Sequence, residues 1–106
     1  MATTPEGRVK RLVKAHLREA GAYAFWPVQT GMGSRTLDCL GCHKRRAFAI
    51  ETKAPGNKPT EQQLWLIQQM QLSGMAVFVI DTVDFTAPCW MELTAWLGID
   101  QIPIYP

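Results

Sequence analysis

Residues 38–53 read DCLGCHKRRAFAIETK, and this stretch predicts a β-hairpin. Apolar residues dominate both arms of the hairpin, at 37–40 and at 47–50. The polar cluster HKRR, which begins at His43, lies between the arms where a turn is expected, and we expect His43 to mark that turn. The other predicted elements are placed around this hairpin.

Three charged residues stand out against the apolar background of the hairpin: Asp38, Glu51 and Lys53. Successive side chains of a strand alternate between its faces, so Glu51 and Lys53 point the same way, about 7 Å apart. If the chain turns between Lys44 and Arg45, Asp38 lies directly opposite Glu51, with their Cβ atoms about 5 Å apart. A slip of one residue in this register would break the cluster.

The chemistry of the three charges indicates a metal-assisted phosphoryl-transfer site. Two carboxylates this close repel each other unless a cation lies between them. Oxygen-only ligands suit Mg²⁺ or Mn²⁺. Lys53 adds a positive charge where a phosphate would meet the metal.

The spacing of these residues resembles the PD-(D/E)XK nuclease superfamily, and the wider run resembles its VRR-NUC branch. The matching features include an aspartate and, on the next strand, the Glu-Thr-Lys triplet within the run AIETKAPG at 49–56. A threonine and glutamine in TxxQ spacing at Thr60 and Gln63 follow, ahead of a helix ending at Gly74. Two further matches are the glycines at 31 and 33 and the run LGC at 40–42, so the resemblance covers about residues 6–81.

The resemblance implies a divalent-metal-dependent DNA endonuclease with a 5′-phosphate and a 3′-hydroxyl on its products. In this reading Asp38 and Glu51 bind Mg²⁺ or Mn²⁺, and the backbone carbonyl of Thr52 is a further ligand. Lys53 positions the attacking water and offsets charge that develops in the transition state.

Two more residues take their roles from the resemblance alone. Glu6, early in the first predicted helix, would complete the metal site through a water. Gln63 would hydrogen-bond Lys53 or a phosphate near the active site. For Glu6 a purely structural reading stands beside this one, because an acid in a first helical turn favours the helix dipole.

The charge distribution predicts a basic surface suited to DNA. All eleven Lys and Arg residues lie in 1–58 with four acids, a net charge of +7, whereas 59–106 contains five acids and no Lys or Arg, a net charge of −5. Such asymmetry favours a polyanionic partner, and the alternative is an uneven but fully solvated surface. The candidate DNA-binding residues are Arg8, Arg11, Lys14, Arg18, Arg35, Lys44, Arg45, Arg46 and Lys58.

Apolar spacing and breaker residues predict one α/β domain over 1–106 with a mixed central sheet flanked by helices, in the order αβββαβ plus a C-terminal helix. The resemblance implies a restriction-endonuclease-like core for it. Phe48 and Ile50 face the core in the predicted hairpin register. The other predicted elements are a helix capped by Thr4 and Gly21, a strand over 22–28, a glycine-rich loop over 29–35, a helix from Thr60 to Gly74, a buried central strand over 76–80, and a helix from Thr86 to Gly98.

The run CLGCH at 39–43 matches the haem-attachment pattern CxxCH, but we interpret it differently. The motif lies inside a predicted strand, where Cys39 and Cys42 would face opposite ways, and the chain offers no second paired spacing for zinc. We expect both cysteines to be small packing residues. No apolar run approaches the length of a membrane helix, and the first residues lack the apolar core of a signal peptide, so we expect a cytoplasmic protein without haem or membrane.

Substrate and assembly follow from the same resemblance. Stand-alone domains of this branch resemble nucleases of branched DNA, Holliday junctions included, in phage or DNA-repair contexts. Symmetric cutting of a four-way junction needs two active sites, which predicts a homodimer. The alternative is a non-catalytic nucleic-acid-binding module with the same fold.

Overall fold

The computed structural model describes residues 4–28 and 35–99 of the chain. The elements follow one another in the predicted order of helix, three strands, helix, strand and helix. The glycine-rich loop predicted over 29–35 lies, apart from its last residue, outside the described residues, as do residues 100–106. The bounds are α1 (Pro5–Ala20), β1 (Tyr23–Phe25), β2 (Cys39–His43), β3 (Arg46–Thr52), α2 (Glu61–Leu72), β4 (Ala76–Ile80) and α3 (Pro88–Leu97).

Helix α1 begins and ends where its sequence predicts. The Thr4 side chain accepts a hydrogen bond from the Gly7 amide at 3.0 Å, and Pro5 occupies the first turn. Gly21 ends the helix with φ of 75°, a left-handed conformation that glycine adopts without steric cost. One stripe of the helix is buried, comprising Val9, Leu12, Val13, His16 and Leu17.

The hairpin of β2 and β3 has the predicted register. Cys39 pairs with Ile50 and His43 pairs with Arg46, so the two residues Lys44 and Arg45 form the turn. Both have positive φ, 50° and 69°, as a type I′ turn requires. The prediction that His43 marks the turn was wrong, since it is the last residue of β2 and is buried.

The sheet has four strands in the order β1-β2-β3-β4, with β4 parallel to β3 and the other pairs antiparallel. Among the described residues β4 is therefore an edge strand, and the prediction of a central strand was wrong. Its apolar run has another cause: α2 and α3 both pack against β4. The first strand is shorter than the predicted 22–28, because β1 covers only Tyr23–Phe25.

The main core lies between α1, α3 and one face of the sheet. Trp90 and Leu93 of α3 meet Phe48 and Ile50 of β3 there, all with no exposed surface, as predicted for the strand residues. Helix α2 contributes no buried residue to this core. It contacts β4 and, through Gln63, the carboxylate of Glu51, which alternates with Ile50 along β3.

The tip of the hairpin is fastened to the C-terminal end of α3. His43 Nε2 donates to the Leu97 carbonyl at 2.9 Å, and Arg46 Nη2 donates to the Trp96 carbonyl at 2.7 Å. The Arg46 guanidinium also lies over the Trp96 ring, 4.2 Å from its centroid. These donors satisfy carbonyls that a helix end leaves free, and they favour the negative end of its dipole.

Two local predictions outside the site, for Thr86 and for Cys42, need correction. Ala87, not Thr86, precedes α3; Thr86 instead donates through its amide and hydroxyl to Asp84 Oδ1. The prediction that Gly74 ends α2 is confirmed, since the last helical residue is Leu72 and Gly74 follows with φ of 98° and an amide that donates to the Gln71 carbonyl. Cys39 is buried, but Cys42 is exposed and so does not serve as a packing residue. Within the described part of the chain, no helix is long and apolar enough to cross a membrane.

Candidate active site

Asp38 lies at the end of the hairpin, one residue before β2 begins. Its Oδ2 accepts hydrogen bonds from the Thr52 amide at 2.9 Å and from the Thr52 hydroxyl at 2.7 Å. Its Oδ1 lies 4.0 Å from Lys10 Nζ of α1. The carboxylate is thus fixed to β3 through one oxygen, while the other faces a cation.

Glu51 is the most buried carboxylate of this cluster, with its residue only 3% exposed. Its Oε1 accepts from the Asp38 amide at 3.3 Å, and its Oε2 accepts from Gln63 Nε2 at 2.8 Å and lies 3.6 Å from Lys53 Nζ. Burial, and then the charge of Asp38, raise the pKa of Glu51 to about 7 despite the opposing effect of Lys53. A carboxylate in this position gains from any further cation.

Lys53 follows the last residue of β3 and is held by its backbone, since its amide donates to the Ile80 carbonyl of β4 at 3.0 Å. Its side chain is only 14% exposed, so the ammonium group is confined beside Glu51. The predicted neighbours Asp38, Glu51 and Lys53 therefore do lie at the same end of the sheet.

Gln63 joins helix α2 to the carboxylates. Its Oε1 accepts from the Thr60 amide at 2.9 Å, and its own amide donates to Thr60 Oγ1 at 3.2 Å, which completes a capping box. The remaining Nε2 donors point to Glu51. The TxxQ spacing therefore starts the helix and also orients a buried carboxylate. We predicted that Gln63 would bond Lys53 or a phosphate, but among the described residues its amide group donates to Glu51 instead.

Two predicted metal residues differ in placement. Thr52 touches the site through its amide and hydroxyl, both bound to Asp38. Glu6 is exposed in the first turn of α1, and no described contact joins it to Asp38 or Glu51. Lys10, one turn after Glu6 on the same helical face, is the residue that reaches Asp38, and the i, i+4 spacing is the signal that could have identified it.

The donor set fits a hard divalent cation in part. In residues 4–28 and 35–99, no three His, Cys, Asp or Glu side chains gather into a metal-binding group. Asp38 and Glu51 nevertheless supply two carboxylates, and Mg²⁺ is commonly held by one or two carboxylates with waters and substrate phosphate filling its octahedron. The raised pKa of Glu51 indicates that positive charge is in short supply there.

The predicted DNA-binding cations are divided among three parts of the structure. Those of α1 are exposed, and Lys14 lies over the Trp26 ring at 5.0 Å from its centroid. Arg45 and its neighbours lie at the far end of β3, six residues or about 20 Å from Glu51. Arg35 and Lys58 are also exposed. Arg35 lies three residues before Asp38 in the chain, and Lys58 lies three residues before α2. The exposed α1 cations are Arg8, Arg11, Lys14 and Arg18, and those of the turn are Lys44, Arg45 and Arg46.

The fold and the site together define a mixed α/β protein with paired carboxylates and a lysine at one end of its sheet. No family model matches the chain, and neither a curated protein nor a solved structure matches it. The case for a function therefore rests on the chain's own side chains.

Proposed function

We propose that the protein is a Mg²⁺- or Mn²⁺-dependent DNA endonuclease of the PD-(D/E)XK type, in its VRR-NUC branch. The observation that carries the proposal is the cluster of Asp38, Glu51 and Lys53, with Glu51 oriented by Gln63. A structural ion pair alone would not need a second carboxylate whose charge raises the pKa of Glu51.

Asp38 and Glu51 would hold the metal ion, with the carbonyl of Thr52 as a further ligand. When bound, such an ion polarises the scissile phosphate and lowers the pKa of a bound water. Lys53, confined beside Glu51, orients the attacking water and offsets negative charge in the transition state. Gln63 holds Glu51 against the N-terminal turn of α2, so the carboxylate has little freedom to turn away.

We further propose that branched DNA, such as a four-way junction, is the preferred substrate and that the active form is a homodimer. The cations on α1 and on the hairpin turn are exposed, and contacts of such side chains to phosphates position DNA without reading its sequence. The dimer follows from the need for two active sites at a symmetric junction.

The test is cleavage of labelled four-way junction, flap and linear duplex in Mg²⁺, in Mn²⁺ and in EDTA. Lys53→Met and Asp38→Asn should abolish cutting, because each removes a charge from the cluster at little change in volume. Glu92→Gln, which neutralises an exposed carboxylate of α3, is the matched control and should cut like the wild type. Cleavage by the wild-type protein in EDTA contradicts the proposal. Cleavage by Lys53→Met at the wild-type rate contradicts it as well.

The second candidate is a nucleic-acid-binding module without catalysis, supported by the exposed cations of α1. The two functions separate in Asp38→Ala. A nuclease loses cleavage in this variant and keeps or tightens DNA binding, because a negative charge is removed from the phosphate path. Binding by the wild type with no cutting of any DNA in either metal supports the module.

A further inference from the structure

A small polar cleft lies beside the carboxylates, between the segment that precedes Asp38 and the first turns of α2. Its volume is about 130 Å³, far below the roughly 300–1,000 Å³ of sites for drug-sized ligands. A cleft of this size suits a small group such as a phosphate. The lining residues are Arg35, Thr36, Thr60, Gln62, Gln63 and Leu66.

Thr36 is the residue of this cleft whose state calls for a ligand. Its Oγ1 is buried and has no hydrogen-bond partner among the described residues. Buried hydroxyl groups are nearly always paired, because an unpaired one keeps the whole penalty of losing water. Thr36 also lines the cleft, so a turn of its side chain about χ1 would let an acceptor oxygen bound there become the partner.

Arg35 makes the charge of the cleft suit an anion. It is exposed and forms no ion pair with any residue in 4–28 or 35–99. Its planar guanidinium matches phosphate oxygens in a bidentate manner. Glu61, the acid of the same α2 turn, is exposed and does not line the cleft.

The cleft is joined to the carboxylates through Gln63. This side chain lines the cleft, accepts from the Thr60 amide and donates to Glu51. On the other wall, Thr36 lies only two residues before Asp38. A phosphate in the cleft would therefore lie within a short length of DNA backbone from one at the carboxylates.

We propose that this cleft binds a phosphodiester group of the cleaved DNA strand, close to the scissile phosphodiester. Arg35 and the Thr36 hydroxyl would be its hydrogen-bond donors. The identity of the ligand as DNA rests on the proposed function. The subsite would fix the strand so that the scissile phosphate is presented to Asp38 and Glu51.

Thr36→Val tests the hydroxyl, because valine keeps the shape of threonine and removes only the polar atom. The melting temperature should rise by about 4 °C, since a buried unpaired group is removed. DNA affinity, measured by fluorescence anisotropy in EDTA so that nothing is cut, should fall about tenfold. Thr94→Val is the matched control: its hydroxyl pairs with His16 Nε2 at 3.0 Å, so this variant should melt lower and bind DNA normally.

Arg35→Gln tests the charge. It should reduce the slope of log affinity against log salt by about 0.9, the value for one phosphate contact, and raise KM more than it lowers kcat. Arg35→Lys should restore most of the slope and less of the affinity, because an ammonium cannot bind in a bidentate manner.

The outcomes separate the subsite from the nuclease. Loss of DNA affinity in Thr36→Val and Arg35→Gln supports the subsite even if the wild-type protein cuts no DNA, in which case only the nuclease proposal fails. Wild-type affinity and KM in both variants overturn the subsite, even where cleavage by the wild type is robust. A lower melting temperature for Thr36→Val, with unchanged affinity, would show that the hydroxyl serves the fold and would equally overturn the proposal.

Discussion

Glu51→Gln should make the protein more stable while removing its proposed activity. The carboxylate is 3% exposed, lies beside Asp38 and has a pKa raised to about 7 by that burial and that charge. A neutral amide of the same shape avoids both effects. The same change removes one of the two carboxylates proposed to hold the metal.

The magnitude follows from the pKa. A value of about 7, against 4.5 for the ordinary side chain, means that the ionised form costs about 3 kcal/mol at pH 8, at about 1.4 kcal/mol for each factor of ten in proton affinity. The Asp38 amide and Gln63 donate to different oxygens of Glu51, and glutamine keeps an oxygen at only one of these two positions. One hydrogen bond is therefore lost, which costs about 1 kcal/mol. The expected net gain is about 2 kcal/mol, or about 10 °C in melting temperature.

The gain should depend on pH in a fixed direction. Because the folded-state pKa of Glu51 lies above its unfolded value, the folded state holds this proton more tightly, and wild-type stability from this group declines as pH rises from about 4.5 to about 7. The advantage of the variant is therefore full at pH 8 and nearly absent at pH 5. His16 titrates alike in both proteins and cancels from the difference.

Urea unfolding of both proteins at pH 5 and pH 8 in EDTA measures this difference directly. Glu92→Gln, an exposed carboxylate of α3, should change the free energy of unfolding by less than about 0.5 kcal/mol at either pH. Adding Mg²⁺ should stabilise the wild type at pH 8 and leave Glu51→Gln unaffected. A variant that is less stable than the wild type at pH 8, or equally shifted at both pH values, refutes the reasoning.

Three further predictions concern positions around the site and core. Gln63→Ala should lower the free energy of unfolding by about 1–2 kcal/mol and the cleavage rate at least tenfold, because it removes a helix cap and a hydrogen bond to Glu51. Gln68→Ala, on the exposed side of α2, should change neither quantity in the same urea-unfolding and cleavage assays. Gly41→Ala should destabilise by at least about 3 kcal/mol in the same unfolding assay, because the new Cβ would collide with a backbone carbonyl of β1 and with the Phe48 ring. Burial lowers the pKa of His16 to about 4, so wild-type stability should decline as pH falls from 6.5 to 4, and His16→Gln should remove that part of the slope in calorimetry over this range.

The hairpin and its register were predictable because independent local signals agree there. A two-residue turn between apolar arms leaves one register, and that register pairs Cys39 with Ile50 and brings Asp38 to Glu51. Threonine and glycine at helix ends were equally readable for α1, where Thr4 and Gly21 act as predicted. The order of elements followed from these local signals.

The errors arise where tertiary packing decides. The apolar run of β4 indicated a central strand. An edge strand is equally apolar when helices cover it, and α2 and α3 both pack against β4. His43 looked like a turn residue because it is polar, yet it is buried and paired with the carbonyl of Leu97, a partner 54 residues away. A local sequence pattern does not predict a contact between residues so far apart in the chain. The contact of Lys10 with Asp38 was not predicted, although Lys10 lies four residues after Glu6 and therefore on the same face of α1.

Two unfavourable features of the free protein lie close to Gln63: a carboxylate with a raised pKa at Glu51, which Gln63 bonds, and a buried hydroxyl without a described partner at Thr36, which lines the same cleft as Gln63. Packing explains neither, because a neutral or apolar residue of the same shape would fit each position at lower free energy. In the proposed complex each would be relieved by a different part, the raised pKa of Glu51 by a cation and the unpaired hydroxyl of Thr36 by a phosphate oxygen. Sequences that break local rules tend to do so at functional sites. The two positions also make opposite demands, positive charge at one and an anion at the other, and the proposed complex of a metal ion with a DNA backbone would meet both.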